Sequence, residues 1–100
     1  MNKLVTWAFI FLSKGCNANI NHTILNHCGN TLLVYGVNTI EEAVEISKDI
    51  VDKKGCTLIE LCGGFKREGA AIIRASVGEK ALVGFIDYFK EDLQRLYDFM

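Results

Sequence analysis

From Leu4 to Leu12 the chain reads Leu-Val-Thr-Trp-Ala-Phe-Ile-Phe-Leu, without a charge and without alternation of polar and apolar positions. A strand with one face in water alternates, so an unbroken run of this kind marks a strand covered on both faces. Three further segments read the same way: Thr31 to Val37, Thr57 to Leu61 and Ala81 to Ile86. Stretches with helical spacing lie between them. Buried strands alternating with helices point to a parallel sheet with right-handed crossovers.

The clearest helix is expected over Ile40 to Lys54. Thr39 is placed to cap it, with Glu42 completing a capping box. Ile40, Ala43, Val44, Ser47, Ile50 and Val51 fall on one face, while Lys53 and Lys54 suit the end of the dipole and Gly55 the left-handed stop. A second helix is expected over Lys66 to Val77, with Ala70, Ile73 and Val77 inward and Gly78 after it. A third runs from Tyr88 to the C-terminus, carrying a stripe of Phe89, Leu93, Leu96, Tyr97 and Met100. A short helix over Ile20 to Cys28, stopped by Gly29, would complete the order β-α-β-α-β-α-β-α.

That order predicts a single α/β domain over residues 1–100 with a small four-stranded, mainly parallel sheet. The expected form is open and flavodoxin-like, with strand order 2-1-3-4, because the first strand is the most apolar and suits a central place. A half-barrel with order 1-2-3-4, or a ferredoxin-like antiparallel sheet, are the alternatives.

Half of the 100 residues are apolar, enough for a core in one domain. A chain this short buries a modest fraction of its surface, which makes a homo-oligomer, a dimer first, the expected state. A net charge of -1 and a pI near 6.1, with no basic block, argue against a nucleic-acid partner. The basic start and apolar run have the outline of a signal peptide. Lys14 at the supposed cleavage point and the shortness of the run argue against both secretion and a membrane span. A cytoplasmic protein is expected. Cys16, Cys28, Cys56 and Cys62 contain no C-x-x-C pair, and the spacing of Cys16, His22, His27 and Cys28 matches no common zinc site, so neither a metal nor another cofactor is expected.

Function is best sought where the third strand meets the next helix, in Glu60-Leu61-Cys62-Gly63-Gly64-Phe65-Lys66-Arg67. Paired glycines at such a junction let the backbone approach a ligand, and the N–H groups of a helix start favour an anion. Gly63, Gly64, Phe65, Lys66 and Arg67 are the candidate ligand-binding residues, with Asp87 at the end of the fourth strand. The spacing matches neither a P-loop nor a dinucleotide fingerprint, and the same glycines serve equally well as a tight corner. Cys62, beside a helix start and two cations, is the candidate nucleophile. Glu60, a carboxylate in an apolar strand, is the candidate acid or base, or else the partner of a cation such as Arg74.

The segment Ile59-Glu60-Leu61-Cys62-Gly63-Gly64-Phe65, with Ala8-Phe9-Ile10-Phe11-Leu12, resembles an uncharacterised family of short prokaryotic α/β proteins, a domain of unknown function. The resemblance stops before the last helix, which reads as this chain's own extension, and it implies a fold without an activity. Two functions stay open. One is binding of a small anionic metabolite at the carboxyl ends of the strands, with enzyme chemistry undecided. The other is a non-catalytic oligomeric or accessory module that uses the C-terminal helix.

Overall fold

The computed structural model describes residues 5–99. Its elements are β1 (Thr6–Leu12), β2 (His22–His27), β3 (Asn30–Val37), α1 (Ile40–Lys54), β4 (Leu58–Leu61), α2 (Lys66–Val77), β5 (Leu82–Phe85) and α3 (Leu93–Phe99). The strands form one mixed sheet in the order β2-β3-β1-β4-β5. β3, β1, β4 and β5 are mutually parallel, and β2 joins the β3 edge antiparallel. The fold is therefore α/β with a mostly parallel sheet, and β1 sits at its centre.

The sheet has five strands, not four. Residues 22–27, expected within a helix, form a strand that pairs along β3 from His22↔Tyr35 to His27↔Asn30. The connection is a two-residue hairpin in which Cys28 and Gly29 have φ of 49° and 82°. Positive φ at both central positions is the primed turn whose twist suits a hairpin. Among the parallel strands the order is second-first-third-fourth by sequence, which excludes the half-barrel, and their parallel pairing excludes the ferredoxin-like arrangement.

That one change of element decides how the sheet is covered. The crossovers from β3 to β4 and from β4 to β5 step the same way across the sheet, so α1 and α2 lie on one face, in contact with each other. A helix between β1 and β3 would step the opposite way and cover the other face. The hairpin takes its place, so neither α1 nor α2 covers that face, and the flavodoxin-like layering is not formed.

Side-chain parity follows from this. Ala8 and Ile10 of β1, Leu33 and Val37 of β3, and Ile59 and Leu61 of β4 are buried beneath the helices. Ala43 and Ile50 of α1, Ala70, Ile73 and Val77 of α2, and Phe65 meet them in one cluster. Each fully buried aliphatic side chain here stabilises the fold by about 1.5–3 kcal/mol relative to exposure.

α1 and α2 keep their expected limits. Thr39 Oγ1 accepts the Glu42 N–H at 3.0 Å, and Gly55 closes α1 with φ 67°. The other half of the expected capping box is replaced: the Glu42 carboxylate accepts N–H groups from Asn38 and Ala18, each at 2.8 Å. These bonds fasten the loop after β1 to the start of α1 and place Ala18 in the core. α3 begins at Leu93, five residues later than expected, and contributes no buried side chain. Met100 of the expected stripe and Leu4 of the first apolar run lie outside the described residues. No helix among the described residues is long and apolar enough to cross a membrane.

Candidate functional site

At the carboxyl end of β4 the chain turns through Gly63–Phe65, a single 3-10 turn, into α2. Cys62 N–H bonds to Ile10 O at 3.1 Å, and the Cys62 sulfur accepts the Leu12 N–H at 3.2 Å. The thiol is thus tied to the end of the central strand and half-buried. Phe65 is buried in the core, where it anchors the turn rather than facing a ligand. Lys66 carries φ 58° and ψ 177°, a backbone region that side chains other than glycine's occupy at a cost.

Arg67 lies with its guanidinium 5.1 Å from the centroid of the Phe85 ring, a cation–π contact that holds it over the end of β5. The ring of Tyr88 covers Gly63 so closely that a Cβ there would come within 2.8 Å of Cε2. Gly64 is less confined, its nearest neighbours being the Cys62 sulfur at 3.5 Å and Leu12 Cβ at 3.8 Å from the Cβ position. The Asp87 carboxylate accepts the N–H of the next residue, Tyr88, at 2.8 Å. Tyr88 also lines a shallow cleft of about 430 Å3 with Asp92, Arg95, Leu96 and Phe99.

Glu60 belongs to a different surface. It stands opposite Phe9 and Gly84 in the register of the sheet, on the face away from α1 and α2. It is exposed and has no ion-pair or hydrogen-bond partner among the described residues, so the pairing with Arg74 is not formed. Cys62 and Glu60 share no hydrogen bond. The loop therefore gathers Cys62, Gly63, Gly64, Lys66 and Arg67 with Asp87 and Tyr88 at one end of the sheet, and leaves Glu60 on the helix-free face.

Around Glu60 that face is apolar. By register one row runs Leu25, Leu32, Trp7, Leu58, Leu82 and the next runs Thr23, Val34, Phe9, Glu60, Gly84. Leu82 is 73% exposed and Leu25 54%, while Trp7, Phe9, Leu32, Val34 and Leu58 are half-buried by one another. The Trp7 indole meets the His27 ring edge-on at a centroid distance of 5.4 Å. Beyond Gly84 a Cβ would meet nothing within 4 Å, which leaves a hollow beside Glu60.

The family model for a family of unknown function, DUF6506, matches residues 5–100. The chain belongs to that family. The match runs through α3, so the C-terminal helix is part of the DUF6506 pattern and not an extension of this chain. No curated protein matches the sequence. Membership brings no activity with it, and the surface that sequence reading passed over is the one built from Trp7, Phe9, Leu32 and Leu58. Those side chains read as core because β1 and the matching runs of β3 and β4 lack alternation. The signal that would have exposed them is the Cys28-Gly29 turn, which converts a covering helix into a strand.

Proposed function

We propose that this DUF6506 chain is an interaction module whose working surface is the helix-free face of its sheet. The supporting observation is a mismatch between sequence and covering. Parallel sheets are stable with both faces covered, and β1 carries the unalternating pattern of that state. Yet α1 and α2 cover one face only, and on the other Leu25 and Leu82 stand largely in solvent. An apolar face of this size, rimmed by polar residues, is the mark of an interaction site. The test is a photo-crosslinking residue, benzoylphenylalanine, placed at Phe9 of the full chain in its native cells. A covalent adduct is expected on irradiation; absence of any adduct, with the protein folded, overturns the reading.

A second reading rests on the backbone of the glycine loop. A non-glycine residue held at φ 58° two positions after the Gly63-Gly64 pair is the kind of strain that accompanies binding sites. On this reading a small anionic metabolite is held by the N–H groups of Gly63 and Gly64, with Lys66 and Arg67 supplying charge. Gly64→Ala is the clean probe, since its Cβ meets only ordinary contacts. Phosphate or a carboxylate should raise the melting temperature of the wild type and not of this variant. No shift in the wild type across anion classes sinks it. Either reading suits the cytoplasm, where the four cysteines stay reduced.

A further inference from the structure

Resting on the first of those readings, we infer that the cover of the helix-free face is a second copy of this chain, giving a homodimer in which the two sheets face one another. The resulting layers, helices-sheet-sheet-helices, give each parallel sheet the two covered faces that its sequence pattern calls for.

The charge on the face selects this occupant. Among the described residues Glu60 is the one carboxylate on it, and no lysine or arginine side chain points from it. Such a face offers nothing to attract a strongly acidic or basic partner. It is apolar on one copy and therefore apolar on the other, which is what an isologous two-fold interface requires. Glu60 is accommodated because bare Gly84 lies beside it, leaving room for water next to the carboxylate.

Area decides what else must take part. Five strands about 4.8 Å apart and about five residues long at about 3.3 Å each give a footprint of about 400 Å2. A stable dimer buries about 800 Å2 on each copy. The sheet face supplies half. The C-terminal segment carries the remainder: Phe89 is 78% exposed, Tyr97 63% and Phe99 90%, largely uncovered by the other described residues. Aromatic side chains bury about 150–250 Å2 each, so these three supply roughly the missing 400 Å2. The segment therefore lies on the partner, and each copy's α3 completes the other copy's surface. Its inclusion in the span matched by the family agrees with a role that belongs to the fold.

Sedimentation of the full chain tests this directly, read together with emission from Trp7, the single tryptophan, which lies on the face in question. A species of twice the 11.2 kDa chain mass is expected, with Trp7 emission moving to the red as dilution separates the copies. Phe9→Lys should give a monomer with unchanged helix content. If that variant unfolds, Leu82→Lys, on the exposed edge strand, gives the same reading without touching the core. Tyr97→Ser with Phe99→Ser should weaken association about tenfold or more, and Glu60→Leu should strengthen it. A monomeric wild type at every concentration, or a dimer indifferent to both lysine variants, overturns the second copy as occupant. The crosslink at Phe9 separates the two failures: an adduct with a different protein sinks the homodimer and keeps the face as the working surface. No adduct at all sinks both.

Discussion

The ring of Phe11 lies over Gly36, its partner across the β1–β3 ladder, so closely that a Cβ on Gly36 would fall 2.6 Å from Cζ and 2.7 Å from Cε2. Gly36 is buried although its face carries no helix, because the Phe11 ring and the Cys16 sulfur roof it. Gly36→Ala must push the ring aside and is expected to cost about 1–3 kcal/mol in urea unfolding. Phe11→Leu removes the obstruction, so the double variant should be less destabilised than the sum of the two singles. Strict additivity would show that the ring does not hold the site.

The β2–β3 turn offers a test in the opposite direction. Cys28 sits at φ 49°, where asparagine is favoured over other side chains because its amide bonds locally. Cys28→Asn is expected to stabilise the protein by about 1 kcal/mol, seen as a rise in melting temperature. A fall would mean that the turn is not of the primed type.

The same turn explains what the sequence concealed. Helical spacing of Ile24, Leu25 and Cys28, with Gly29 as a stop, is genuine in the sequence, but so is a six-residue strand ending in a Cys-Gly turn. Six residues are too few for periodicity to separate the two. Pairing along β3 decided it, and pairing is a tertiary fact. By contrast α1 and α2 were legible to the residue, since Thr39 and Gly55 act through the local backbone and Ile50 and Ile73 fall on clean helical faces. The site divided along the same line. The loop Cys62–Arg67 and Asp87 do meet at one end of the sheet, whereas Glu60 parts from them because alternation along β4 turns it to the opposite face from Leu61.

Lys66 provides a measure of the strain in the glycine loop. Glycine occupies φ 58° freely, so Lys66→Gly should raise stability by about 1 kcal/mol in denaturant unfolding. If the loop holds an anion, the same variant loses the phosphate-induced thermal shift while gaining baseline stability. A loss of stability instead would show that the Lys66 side chain contributes more than its backbone costs.

Ser47 is wholly buried in α1, and its hydroxyl has no partner among the described residues. A buried hydroxyl without a hydrogen bond costs about 1–3 kcal/mol. Ser47→Ala removes the group with little change of volume and adds helix propensity, so a gain of about 1 kcal/mol is expected by thermal or urea unfolding. A loss would show that the hydroxyl is bonded in solution.

Stability should also fall at alkaline pH, for a reason visible in the core beside β3 and β4. Burial raises the Cys56 thiol above its ordinary 9.0, only partly offset by backbone hydrogen bonding at Leu58. Burial, with the negative charges of Asp49 and of ionised Cys56 nearby, raises the Tyr35 phenol above 10.0. A group whose folded pKa exceeds its unfolded one binds its proton more tightly when folded, so its contribution is complete below the unfolded pKa and is lost as pH climbs through the folded one. The free energy of unfolding should therefore show no loss from these two groups below about pH 9 and decline above it, first through Cys56 and then through Tyr35. Cys56→Ala lowers the whole curve by leaving a cavity but should remove the first part of that decline, and Tyr35→Phe the second. A wild-type slope that survives both substitutions would assign the alkaline loss to other groups.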